Sequence, residues 1–154
     1  MSHIRTQIRN AVVAQLRAAG GFGVVDARLR VLRGIQSDQF PIALVSVADA
    51  GTAVGKNPPG QRPLQRQVIV SVQVHDIADV EELDEKLDDL AVKVEEALTE
   101  PSALGFGKVL DWTYAGTSAA HEDEAKEMGT SSVTVTYRGT VTTPEGKPSI
   151  NIHP

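Results

Sequence analysis

Three Gly-Lys pairs, Gly55-Lys56, Gly107-Lys108 and Gly146-Lys147, come nearest to a phosphate-binding pattern in this chain. A phosphate-cradling loop needs a glycine five residues before the second glycine, so that backbone amides can approach the anion, and a hydroxyl residue after the lysine. The positions five before are Ala50, Ser102 and Val141, and the residues after are Asn57, Val109 and Pro148. All three pairs fail both requirements. The histidines, His3, His75, His121 and His153, are far apart, and none has the His-Glu-x-x-His spacing that puts two imidazoles on one helix face. The nearest ligand-like cluster is His121-Glu122-Asp123-Glu124, which reads more simply as a solvated loop run. The absence of cysteine excludes a disulfide framework, a thiolate nucleophile and thiolate metal sites together. No Gly-x-Ser-x-Gly elbow exists to expose a serine, although distant Ser, His and Asp can converge in a fold. The expectation is a chain with no catalytic, metal or cofactor-binding residues, and not an enzyme.

The acids repeat that reading. Asp84, Asp88 and Asp89 could be taken as paired carboxylates, but acid-base catalysis needs a concave, partly dry site that separates their pKa values. They fall instead on the polar side of an amphipathic pattern, as a solvated face or a protein interface would. Charge is unevenly spread. From Met1 to Arg33 six arginines stand against Asp26 alone, a net of +5, whereas Asp76 to Glu100 holds eleven acids against Lys86 and Lys93, a net of −9. Opposite patches steer association and fix register, so copies of the chain could pair head to tail. The net charge of −5 lacks the basic footprint of a nucleic-acid binder. Trp112 and Tyr114 adjoin Asp111, which suits sheet packing better than base stacking. No apolar run approaches the ~20 residues that span a bilayer, and MSHIRTQIRN lacks a signal-peptide core, so a soluble protein made in a cytoplasm is expected.

The elements that must position these charges follow from periodicity. Ile4, Ile8, Val12 and Leu16 recur every four residues after Ser2, an N-cap type, and stop at Gly20-Gly21. Arg5 and Arg9 lie one turn apart on a neighbouring face. Ala27 to Leu32 alternates apolar residues with Arg28 and Arg30, a half-buried strand with a basic outer face. Ile42 to Val47 follows Phe40-Pro41 as a second strand, and Gln67 to Val74 is the clearest strand of all. Between them, Ala48 to Arg66 carries glycines and prolines without periodicity and is expected to be a mobile loop bearing Lys56, Arg62 and Arg66. Asp79 with Glu82 suggests a cap for a helix whose apolar positions, Val80, Leu83, Leu87, Leu90, Val94 and Ala97, form one narrow stripe. Val109 to Tyr114 and Ser132 to Val141 supply two more strands, with Ala115 to Thr130 as a polar loop between them. The sum is an α+β domain over residues 1–142: a mostly antiparallel sheet of about five strands, with both helices on one face. Residues 143–154, with three prolines, are expected to form an extended tail.

The order of these segments resembles the tail terminator (tail completion) proteins of long-tailed phages, the minor tail protein U type and its prophage and gene-transfer-agent relatives. The likeness runs over SHIRTQIRNAVVAQL, ARLRVLR, FPIALVSV, the Gly/Pro loop, RQVIVSVQVHDIADVEELDEKLDDLAVKVEEAL and VTVTYRGTV. It is a pattern of placement rather than a signature, and neck or head-tail joining proteins share the size and order. The resemblance implies a structural virion or prophage part, assembled in the bacterial cytoplasm and located in the tail. It forms a homohexameric ring that caps the tail tube, stops its growth and offers a surface to the head. Its implied partners are itself, with a free protomer that can stay monomeric, the tail tube protein and head-tail connector proteins; DNA would only pass through. The candidate interface residues are Arg5, Arg9, Arg28, Arg30, Asp84, Asp88 and Glu95, and the candidate tube-docking residues are Lys56, Arg62 and Arg66. A small ligand-binding or regulatory α+β domain is the reading from another class.

Overall fold

A computed structural model describes residues 2–27, 40–99, 110–122 and 128–150. The order is α1 (Ile4–Ala19), β1 (Val24–Ala27), β2 (Ile42–Ala53), β3 (Pro63–Asp79), α2 (Val80–Leu98), β4 (Leu110–Glu122) and β5 (Met128–Pro144). The five strands form one sheet in the order β1-β2-β3-β5-β4, with β1 parallel to β2 and every other pair antiparallel. Both helices pack on the same face: α1 against β1 and β2, α2 against β3 and β5, and each against the other. This is the α+β arrangement expected from the periodicities.

The core lies between the layers. Ile4, Ile8, Val12 and Leu16 on α1 are completely buried, and α2 adds Leu83, Leu87, Leu90 and Val94. Opposite them stand Ala43 and Val45 of β2, Val68, Val70, Val72 and Val74 of β3, and Val133, Val135 and Tyr137 of β5. Alternation on each strand makes this possible, since successive side chains point to opposite faces. The face away from the helices carries Gln67, Ile69 and Ser71 from β3 beside Thr136, Arg138 and Thr140 from β5.

The cap of α1 differs from the Ser2 expectation. His3 is the N-cap, its Nδ1 accepting from the Arg5 amide at 3.1 Å. Ser2 is engaged through its carbonyl, which accepts from the Gln7 side chain at 2.7 Å. The Ile4 amide donates to the Pro148 carbonyl at 2.7 Å and Gln7 also reaches the Ser149 carbonyl, so the segment after β5 satisfies helix-start donors from outside the helix. The helix ends where expected, with Gly20 at φ +75° and its amide on Leu16.

Two expected loops are instead largely strand. β2 runs to Ala53 and β3 begins at Pro63, so only the tip of the segment from Ala48 to Arg66 lies outside the ladder. Proline is tolerated at the first residue of a strand, and here Pro63 contributes its carbonyl, which accepts from Val54. The tip turns at Pro58-Pro59-Gly60-Gln61, closed by the Gln61 amide on the Pro58 carbonyl, with Gly60 at φ +86° as the third residue of a type II turn requires. Likewise β4 continues to Glu122 and β5 starts at Met128, in unbroken register from Gly116 opposite Thr136 to Glu122 opposite Thr130. Backbone pairing needs no apolar alternation, which is why composition alone reads Ala115 to Thr130 as a loop. The first strand is also displaced: β1 is Val24–Ala27, and residues 28–32 of the expected strand lie outside the described residues.

Candidate interaction surfaces

The helical layer carries two differently charged surfaces. On α1, Arg5 is exposed, with its Nε 3.9 Å from the Asp49 carboxylate, and Arg9 is half-buried. Arg17 is also exposed at its surface but gives one donor to the Val25 carbonyl at 2.9 Å, tying α1 to β1. Arg28 and Arg30 lie outside the described residues. On α2, Glu82, Asp84, Glu85, Asp88, Asp89 and Glu96 are exposed, because the stripe of Leu83, Leu87, Leu90 and Val94 turns the rest of the helix outward. Glu95 differs from Asp84 and Asp88. It is only half-exposed and faces Tyr137, whose hydroxyl makes a long, 3.4 Å bond to the Glu95 carbonyl. Burial first, and then the Glu95 charge, push the Tyr137 phenol up to about 12.

Tyr137 belongs to an aromatic cluster that closes the α2 end of the core. Trp112 stacks on it at 5.1 Å between ring centres, and Tyr114 meets it edge-on at 5.8 Å. The Trp112 indole donates to the Leu98 carbonyl at 2.7 Å, satisfying the last turn of α2. Both strand aromatics thus take part in sheet packing, Trp112 half-buried and Tyr114 with 46% of its surface still exposed.

The proposed docking cations separate into one exposed residue and two internal ties. Lys56 is exposed at the hairpin tip. Arg62 grips Glu145 through Nε at 3.1 Å and Nη2 at 2.8 Å, and the same carboxylate accepts from the amides of Gly60 and Arg62. The Arg62 hydrogen bonds, foremost among these contacts, hold the Glu145 carboxyl below the usual carboxylate range. Arg66 lies within β3, not in a loop; it bonds Asp49 at 2.6 Å and the Thr143 hydroxyl at 2.8 Å, and both charged side chains are nearly buried. Sequence reasoning missed Asp49, Thr143 and Glu145. Their partners are 17, 77 and 83 residues away, so no local spacing marks them.

A depression of about 530 Å³ on the face away from the helices is lined by Gln67, Ile69, Asp111, Thr113, Arg138 and Thr140. It offers amide, hydroxyl and single charged groups, a surface for hydrogen bonding. Among the described residues no group of three or more His, Asp or Glu is placed to hold a metal ion. The His121-Glu122-Asp123-Glu124 run lies partly outside the described residues. No described helix is long and apolar enough to cross a membrane.

Among solved structures, this chain is similar to a component of the virion of a native gene transfer agent particle. The two share 20% identity over 88% of this chain and 94% of that one, with a TM-score of 0.46, a likeness too loose to carry a functional argument. No family model matches the chain, and no curated protein matches it.

Proposed function

We propose that this chain is a structural assembly protein that forms a ring on the end of a tail tube, as a tail terminator does. The reading rests on the segment pattern noted in the sequence and on one observation of the fold. A single helical layer exposes arginines on α1 and a dense row of carboxylates on α2 as two separate surfaces. Opposite surfaces at different places on one protomer suit a heterologous contact, the kind that closes into a ring when the rotation permits. Arg9, Asp88 and the exposed acids around it would meet across that contact, and Lys56 at the hairpin tip would face the tube.

Purified chain added to polymerising tail tube protein should stop tube growth and leave ring-capped ends under the electron microscope. Arg9→Glu should weaken capping, because like charges facing each other across an interface cost several kcal/mol. The same change on a merely solvated face alters stability by under about 0.5 kcal/mol. A chain that stays monomeric at every concentration and leaves tube length unchanged would overturn the proposal.

A further inference from the structure

Among the described residues, β4 pairs on one side only, with β5, and β1 on one side only, with β2, so these two strands are the edges of the sheet. Edges attract other strands unless they are blunted by bulges, prolines or charges. The two halves of β4 differ in this respect. Its first half is blunted: the register shifts between Leu110 and Thr113 and again between Tyr114 and Gly116, and Asp111 sits at φ +53°. Its second half, Gly116–Glu122, is regular over roughly 23 Å at about 3.3 Å per residue. The whole strand contains no Lys, Arg or Pro.

The lateral register says what fits there. Following the ladder across the sheet, Asp26 is level with Leu44, Gln73, Thr134 and Ser118, and Ala27 with Val45, Val72, Val135 and Thr117. The open half of β4 is therefore level with β1. The strand directions are also set: β1 runs with β2 and β5, against β3 and β4. A second copy placed beside the first in the same orientation thus brings its β1 antiparallel to β4 at the height where β4 is open.

We propose that the edge of β4 from Gly116 to Glu122 receives β1 of a second copy of this chain, joining the sheets of neighbouring protomers into one continuous antiparallel seam. This rests on the ring reading and adds the surface by which copies join. The contact is heterologous, so repetition makes a ring or an open chain rather than a two-fold dimer.

The chain has no cysteine, so introduced pairs report without background. Asp26→Cys with Ser118→Cys tests the level register, and Val24→Cys with Ser118→Cys tests a two-residue stagger. Mild oxidation of concentrated protein should convert one of these pairs into a ladder of covalent multimers, while Ser118→Cys alone stays monomeric. Ser118→Lys, at an exposed position, should weaken assembly about tenfold by sedimentation while circular dichroism stays unchanged, since an edge lysine is a device that blocks strand addition. Assembly without a ladder from either pair, or unaffected by Ser118→Lys, overturns the seam and leaves the ring standing. Dimers from Ser118→Cys alone overturn it in favour of β4 pairing with β4. Protein that, with tail tube protein present, neither sediments as an assembly nor cross-links overturns the ring and the seam together.

Discussion

One stretch of strands β2, β3 and β5 lies beneath the helices, where Val45, Val72 and Val135 stand side by side and fully buried, and another carries them to the hairpin tip. There the same face of the same strands carries Asp49, Arg66 and Thr143, and at the tip Arg62 and Glu145. The first region is held by burial, which is non-directional and accepts any apolar partner of suitable volume. The second is held by directed bonds between particular atoms, each of which leaves a costly orphan if its partner is removed. The arm can extend because the ladder continues, but it keeps its shape because its charges are answered within the chain.

The largest way to break this comparison is in the core. Leu16→Ala, at a fully buried position, should cost about 2 to 5 kcal/mol in denaturant unfolding, with the whole domain losing stability in one transition. In the arm, Asp49→Ala should cost less, about 1 to 3 kcal/mol, mainly by leaving the nearly buried Arg66 guanidinium unanswered. Asp49→Leu combined with Arg66→Met should recover at least half of that loss, since a partly buried pair replaced by apolar groups is often close to neutral. If Asp49→Ala matches Leu16→Ala in cost, the arm is as integral as the core and the contrast between them fails.

What could be read from the sequence follows the same division. The stripes of Ile4, Ile8, Val12 and Leu16 and of Leu83, Leu87, Leu90 and Val94 announce both helices, because burial imposes a period that one sequence displays. The valines of β3 do the same with a period of two. The far ends of β2 and β4 display no such period: GTA in β2 and AGTSAA in β4 pair through backbone atoms that every residue has. The tie from Arg62 to Glu145 spans 83 residues and exists only once the strands are in register. Candidate surface residues were legible as charge, but not which charges the fold would spend on itself: Arg62 and Arg66 are spent and Lys56 is exposed.

A smaller and local effect should appear at the tip. Glu145→Gln should leave global stability little changed, because this contact is near the surface, but speed hydrogen exchange at the Gly60 and Arg62 amides that the carboxylate holds. Acid should mimic the substitution. Glu145 has its pKa lowered in the fold from an ordinary 4.5, so its contribution is present above that value and is lost as pH falls through the lower folded value. Tip amides that exchange equally fast in both proteins at neutral pH would show that the turn at Pro59-Gly60 holds itself.

The smallest expected effect concerns Tyr137, where the two kinds of contact meet in one side chain. Its ring is packed between Trp112 and Tyr114, while its hydroxyl meets the Thr99 side chain and makes a long, 3.4 Å bond to the Glu95 carbonyl. Tyr137→Phe keeps the ring and should cost under about 1 kcal/mol at neutral pH. The difference should shrink in base. With the folded phenol raised from 10.0 to about 12, the native state holds its proton more tightly than the unfolded chain does. That stability is complete below pH 10 and declines as pH rises toward 12, so the wild-type protein should lose stability there by a component that Tyr137→Phe lacks. Denaturant midpoints for both proteins between pH 8 and 11.5 would show this as curves that converge. Parallel curves would mean that the hydroxyl is wetter than its packing implies, and that the aromatic cluster is held by its rings alone.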